Sequence, residues 1–386
     1  MARWRRRTSA LGIATGVAAA TVGAVIAAEK IAVGRSRLLP DPAADEPFGQ
    51  VRGRPVEVIA DDGVVLHAEV SGPDDAPVTV VFCHGYCLSQ DVWHYQRLAL
   101  AEHNRLVLYD QRGHGRSGRG GSDRASIDQL GTDLAAVLAA TAPGDGPVVL
   151  VGHSMGGMTI MALADQRPAL FGGKVAGVVL ISTASHHADT THWLPPAMRP
   201  AARYAGPALL RGAAGGWRAA LTERIRAAGG DLAFLTTRFV GFGTANASPA
   251  LVDFIERVVR GTPIGVIADF YIALLEHDKR TALGTLGRVP VIVITGEQDR
   301  LISAAKAVAL AAEIPGARLV RVPGAGHAII LECPETVTRE IADLVTEVRD
   351  SASPADARRA RRAGRRGHRG ADAGSRPPAR PPAAGG

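Results

Sequence analysis

Apolar positions along this chain fall into two alternating rhythms. Short runs of β-branched and other apolar residues, closed by Gly, Asp or Ser, read as strands. Longer stretches with apolar residues three and four apart read as helices. Residues 56–59 and 64–70 flank an Asp-Asp-Gly turn at 61–63 and predict a hairpin. The runs 76–83 (APVTVVFC), 105–109 (RLVLY), 147–151 (PVVLV) and 174–182 are continuously apolar, as strands buried on both faces of a parallel sheet are. Helical spacing fills 90–102, 126–142 and 155–166, with Ser126 or Asp128 as the N-cap of the second.

From about 185 to 286 the strand rhythm stops. Helical patterns at 219–228, 232–239, 249–260 and 264–278 replace it. The alternation then resumes with a strand at 289–295, a helix at 303–313, a strand at 317–322 and a helix at 334–348. Alternating strands and helices imply a parallel sheet with helices on both faces. Residues 51–184 and 287–348 therefore form one α/β core, and 185–286 a helical cap inserted between two of its strands.

The two ends have their own composition. Residues 10–28 carry no charge and follow Arg3, Arg5, Arg6 and Arg7. As a helix they span roughly 28 Å, close to a bilayer core of about 30 Å. Residues 1–30 are thus read as a signal-anchor held with its N-terminus inside by the arginines. A cleaved signal peptide ending at Ala27 and Ala28, or a soluble Ala-rich extension, are the alternatives. Residues 31–50, with Pro and acidic residues, read as a linker. The tail 349–386 is rich in Arg, Pro, Gly and Ala, lacks apolar periodicity and is expected to be disordered.

This distribution changes the meaning of the formal charge of +7. Ten Arg and three Asp from Arg349 onward, with the four N-terminal Arg, carry the excess. The rest has 30 basic and 34 acidic residues, so no nucleic-acid partner is expected for the folded part. Three cysteines, Cys83, Cys87 and Cys333, are too few for a disulfide framework. No Cys or His spacing suits a metal, and no cofactor is called for. His186, His187 and His192, clustered where the cap begins, read as a solvated junction, with a metal site as the alternative.

The candidate chemistry sits at strand ends. The run 147–151 leads into Gly152-His153-Ser154-Met155-Gly156, and a helical pattern follows: the strand, sharp turn and helix of a G-x-S-x-G nucleophile elbow. Small residues must flank the serine, and the helix N-terminus behind it favours negative charge. A serine so placed needs a base and an orienting acid on loops after later strands. Asp299 follows the strand 289–295 within Gly-Glu-Gln-Asp-Arg, and His327 follows 317–322 between Gly326 and Ala328. Ser154, Asp299 and His327 are the predicted catalytic triad, with Glu297 the alternative acid. The predicted oxyanion donors are the backbone N–H groups of Met155 and of Tyr86, in the loop His84-Gly85-Tyr86-Cys87. His153, beside the nucleophile on a sharp turn, cannot be its base and is expected to pack under the cap. His84, His153, Trp193 and Phe270 are the candidate pocket residues, with His84 also read as a structural turn histidine rather than a direct proton-transfer group.

Together His84-Gly85, Asp110-Gln111-Arg112-Gly113-His114-Gly115-Arg116-Ser117, the elbow, Asp299 and His327 resemble the α/β-hydrolase fold family over about residues 50–348. The similarity is to its capped branch of esterases, monoacylglycerol lipases, cofactor-free haloperoxidases/perhydrolases and epoxide hydrolases. It implies an eight-stranded, mostly parallel sheet with a helical cap over the serine, and a structural role for Asp110 and Arg112. Serine rather than aspartate at the nucleophile position argues against epoxide hydrolysis and dehalogenation. Met155 in place of Trp argues against proline iminopeptidases. The expected reaction is cleavage of a carboxylic ester through an acyl-enzyme. The cap aromatics and the apolar N-terminus point to a hydrophobic or lipid-like ester, with the catalytic domain membrane-anchored or secreted. Perhydrolase or haloperoxidase-like activity on the same triad, or a catalytically silent binding scaffold, are the rival readings. The sequence carries no signal for oligomeric state.

Overall fold

The computed structural model describes residues 30–352 apart from 143, 187–196, 229 and 245. The apolar run 10–28, Trp193, His187, His192 and the tail beyond 352 lie outside the described residues. Eight strands form one sheet: β1 (Arg54–Ile59), β2 (Val65–Ser71), β3 (Thr79–Cys83), β4 (Arg105–Tyr109), β5 (Val148–His153), β6 (Val175–Ile181), β7 (Val291–Gly296) and β8 (Arg318–Val322). Their order across the sheet is β1-β2-β4-β3-β5-β6-β7-β8. The Asp-Asp-Gly hairpin and the β2–β4 pair are antiparallel, and every other pair is parallel.

Strand β5 is central and wholly buried. Its side chains alternate between two cores, one on each face of the sheet. Val149 and Val151 meet α13 (Pro334–Ser351) through Ile341, Leu344 and Val345. Val148 and Leu150 share the other core with Leu134 of α3 (Ile127–Thr141), Ile160 of α4 (Met155–Gln166) and Leu310 of α11 (Ala304–Glu313). Truncating Leu150 to Ala would cost roughly 2–5 kcal/mol, because both faces are sealed and cannot collapse. At the far edge, β8 exposes Arg318 and Arg321, charges that discourage pairing with another chain.

The expected helix at 90–102 is interrupted. Asp110 Oδ1 accepts the Gln90 N–H at 2.8 Å, holding a tight turn over Gln90–Trp93 before α2 (His94–Leu100) starts. Ser126, not Asp128, caps α3, accepting from the Gln129 N–H at 3.1 Å. Between β6 and β7 lie α5 (Arg199–Ala214), α6 (Gly216–Ala228), α7 (Gly230–Gly241), α8 (Pro249–Gly261), α9 (Ile264–Glu276) and α10 (Leu283–Leu286). The pattern missed α5, whose periodicity is broken by Gly206-Pro207 and Gly212. Helix α13, entered through the single turn α12 (Ile329–Glu332), runs to Ser351, three residues into the stretch expected to be disordered.

Residues 31–50 are not a loose linker. Residues 30–37 form a helix, α1, docked on α7 and α8. Lys30 pairs with Asp231 at 3.2 Å, Arg37 with both carboxylate oxygens of Asp253 at 3.0 and 3.1 Å, and Arg238 donates to Ser36 Oγ at 2.9 Å. Val33 is buried beneath these contacts. Further on, Asp41 accepts from Ser248 Oγ and the Ala250 N–H, so it caps α8. Phe48 stacks on Phe254 at 4.6 Å. Among the described residues, no single helix is long and apolar enough to cross a membrane.

Candidate active site

Ser154 sits where β5 becomes α4, at φ +53° and ψ −118°. Non-glycine residues rarely occupy this region, and the surroundings hold it there. The Ser154 N–H donates to Ile181 O at 2.8 Å, and its carbonyl accepts from the Gly157 N–H at 2.9 Å and Thr183 Oγ1 at 2.8 Å. The small flanking residues permit a close crossing. A Cβ at Gly156 would stand 2.0 Å from Cys83 O, and one at Gly152 2.6 Å from the Gly156 backbone.

Asp299 and His327 come together from the loops after β7 and β8, with Asp299 Oδ2 2.8 Å from His327 Nδ1. The other oxygen, Oδ1, accepts the Leu301 and Ile302 N–H groups, each at 2.8 Å. Burial alone would raise the Asp299 pKa. The interaction and hydrogen bond with His327, together with the two backbone donors, outweigh it and hold the carboxyl below the usual aspartate range. Glu297 points elsewhere: it pairs with Arg321 at 2.8 Å on the sheet edge, half exposed.

His327 and Ser154 both line a cavity of about 470 Å³. His153, Gly85, Tyr86 and Cys87 also reach it, and most of the wall is apolar, including Leu88, Val92, Met158, Ile255, Leu274 and Ile330. Helix α7 adds Thr236, Thr237, Val240 and Gly241. The loop after β3 passes so near the serine that a Cβ at Gly85 would be 3.2 Å from Ser154 Cβ. This brings the Tyr86 backbone beside Ser154. Met155 is the first residue of α4, where a backbone N–H has no acceptor within the helix. Tyr86 Oη bonds Ile267 O, tying this loop to α9.

Two expected pocket residues take other places. His84 is buried between the loops after β3 and β4, where Nδ1–H donates to Gly85 O at 2.8 Å and Nε2 accepts the Gln111 N–H at 2.9 Å. Burial pushes it down to about 4, so it is a neutral brace. Phe270 joins an apolar cluster with Met155 and Met158 and meets His114 at 5.4 Å, while its neighbour Tyr271 faces the cavity. His153 lines the cavity, and its Nε2–H donates to His327 O at 2.8 Å. His186 bonds Ser185 Oγ at 3.0 Å, and among the described residues no three His, Cys, Asp or Glu could hold a metal ion. All three cysteines are free thiols.

The Asp110–Ser117 stretch builds the scaffold beside the site. Asp110 is fully buried, and its carboxylate accepts the Gln90 and Arg116 N–H groups at 2.8 and 3.0 Å. Arg112 forks onto both oxygens of Asp133 at 2.6 Å and also pairs with Asp62 at 2.8 Å.

Two further residues tie the loops after β7 and β8 to the end of α7, and the motifs did not single out either. The Glu332 carboxylate accepts the N–H groups of Gly326 at 2.6 Å, Gly243 at 3.1 Å and Thr244 at 3.1 Å. Arg300, next to the acid, donates to Phe239 O and Phe242 O at 2.8 Å each. The Ala328 N–H donates to Gly241 O at 2.7 Å. A signal for Glu332 was present in the sequence: a lone carboxylate closing the apolar run Ala328-Ile329-Ile330-Leu331.

Comparison with known proteins agrees with this architecture. Residues 78–334 match a family model described as the alpha/beta hydrolase fold. The chain is 29% identical over 298 residues to the pimeloyl-acyl-carrier-protein methyl ester esterase of Stenotrophomonas maltophilia (strain K279a), covering 75% of this chain and 99% of that protein. A bifunctional esterase/perhydrolase of Acinetobacter calcoaceticus is 40% identical over 126 residues, which are 32% of this chain and 43% of the relative. The crystal structure of the enol-lactonase from Burkholderia xenovorans LB400 superposes with a TM-score of 0.60 at 25% identity, over 75% of this chain and 100% of that one.

Proposed function

The chain belongs to the α/β-hydrolase fold family, and on that premise we propose that it is a carboxylic ester hydrolase acting through an acyl-enzyme on Ser154. One observation carries the reading. His327, bonded to Asp299 at 2.8 Å, lines the cavity that also holds Ser154 at its strained turn. The bond to Asp299 fixes the proton on Nδ1 of His327 and leaves Nε2 free to act as a base. His327 takes the Ser154 hydroxyl proton as Oγ attacks the ester carbonyl. The Met155 and Tyr86 N–H groups receive the oxyanion. His327 then protonates the departing alcohol and activates the water that releases the acid.

The apolar wall favours an acyl chain over a polar one. The S. maltophilia relative is a methyl ester esterase by name, which makes methyl and short alkyl esters of acyl chains the first compounds to assay. Residues 10–28 act in this reading as a signal-anchor that holds the domain outside the cytoplasm at a membrane, near lipid-like esters. A fluorophosphonate probe tests the core proposal. Wild type is expected to be labelled and Ser154→Ala not. Unlabelled wild type, or equal labelling of both, would refute it.

A second reading, perhydrolysis, rests on the 126-residue similarity to the esterase/perhydrolase. It requires hydrogen peroxide to replace water on the same acyl-enzyme and release a peracid. Peroxide-dependent halide oxidation that vanishes in Ser154→Ala would support it, and its absence in an active esterase would remove it.

A further inference from the structure

Helix α7 presents three neighbouring stripes. Thr236, Thr237, Val240 and Gly241 line the cavity. Asp231, Phe234 and Arg238 receive α1: Lys30 on the first, the Arg37 guanidinium 4.9 Å above the second ring, and Ser36 on the third. Leu232 and Phe239 face solvent at 64% and 51% exposure. Leu232, Thr236 and Phe239 are four and then three residues apart, so they share one helix face. Thr236 is itself exposed and lines the cavity. The cavity wall therefore comes within about one helical turn of Leu232.

Helix α1 has the same character. Val33 and Ser36 are buried against α7, while Ile31 and Leu38 are 56% and 86% exposed, with Arg35 exposed among them. Apolar side chains next to basic ones on one face suit the boundary between head groups and acyl chains. The uncharged run 10–28 ends two residues before Lys30, which the Asp231 contact fixes to the first turn of α7. From Asp231 to Thr236 the helix rises only about 7.5 Å.

We propose that the face formed by α1 and the Leu232–Phe239 stripe of α7 rests on a lipid bilayer, so that the cavity takes its ester from the membrane. This rests on the reading of residues 10–28 as a membrane segment. The neighbouring bilayer accounts for two features, the exposed Ile31, Leu38 and Leu232 and an apolar cavity whose wall runs close beside them.

The test uses the full chain with vesicles of phosphatidylcholine and phosphatidylglycerol. Flotation reports the membrane segment. Bimane on Leu232→Cys, in a Cys333→Ser background, is then quenched with nitroxide lipids. Glu313→Cys, on α11 against the other face of the sheet, is the control. The expected result is flotation with strong quenching at 232 and little at 313. In addition, Leu232→Glu is expected to slow a bilayer-resident ester roughly tenfold, the scale of losing one buried leucine from a membrane contact. Turnover of a soluble short-chain ester should stay unchanged. Flotation with equal quenching at both sites, or equal loss on both esters, overturns the bilayer face while the membrane segment stands. A chain that does not float overturns the membrane segment, and the bilayer face with it.

Discussion

His153 donates its Nε2–H to the backbone carbonyl of His327 at 2.8 Å, with the two rings 4.9 Å apart. The residue beside the nucleophile thus holds the backbone of the residue proposed as base. Burial and the nearby His327 push His153 down to about 3, so it stays neutral wherever the fold is intact. The bond is therefore independent of pH in the working range. His153→Leu removes the donor and should lower kcat roughly ten- to a hundredfold through misplacement of His327. His153→Gln should restore part of it. Equal kinetics for Leu and wild type would show that the loop needs no such tether.

Asp299→Asn keeps the shape but loses the charge and allows the wrong His327 tautomer. A fall in kcat of about 10⁴ is expected. The depressed pKa also ties stability to pH. Folded Asp299 binds its proton less readily than the unfolded residue, near 3.8. Its stabilisation is complete above that value and is lost as pH falls through the lower, folded pKa. Urea midpoints of wild type and Asp299→Asn at stepwise lower pH should converge in acid. A gap that stays constant below pH 4 would contradict this.

Glu332 satisfies three backbone donors at once, and Glu332→Ala leaves them without their acceptor. Gly326 is buried, and an unmet buried donor costs about 1–3 kcal/mol, while the Gly243 and Thr244 donors can turn to water. The histidine loop should loosen, with a lower kcat, a lower melting temperature and faster amide exchange at Gly326. Glu332→Gln keeps an acceptor oxygen and should fall between the two. Unchanged exchange at Gly326 in the alanine variant would rule out the clamp.

Arg112 separates stability from chemistry. Arg112→Met leaves Asp133 buried without its partner, at a cost of about 3–5 kcal/mol. Urea denaturation should show that loss, while the folded protein keeps its kcat/KM within a small factor. A variant as stable as wild type would mean that Asp133 is neutralised by other means.

Legibility in the sequence followed the geometry of each element. Strands such as β5 were plain, because burial on both faces leaves a continuous run, Val148 to Val151, that little else produces. The elbow and the loops bearing Asp299 and His327 were plain because each stands directly after such a run. Helix phase was harder. Helix α9 is apolar on most of its circumference, so nothing local says whether Phe270 or Tyr271 turns toward the cavity, and one residue is 100° of rotation. For His84 the structural-turn reading fits and the pocket one does not, because its partner, the Gln111 N–H, is 27 residues away on another strand's loop. The docking of α1 depends on Asp231 and Asp253, some two hundred residues downstream. Such long-range pairs leave no local pattern.

The seam around residues 239–244 bears on how this enzyme could diversify. Its carbonyls and N–H groups are bonded to Arg300, Glu332 and Ala328, all from the second half of the core. A cap helix that ended differently would disturb the loops carrying Asp299 and His327. Exchange of caps between relatives, by recombination or by design, should therefore succeed when the crossover lies before Phe239 and fail when it lies after Thr244. In heritable terms the last turn of α7 belongs with the bond-breaking loops, and the helices before it are free to vary with the substrate.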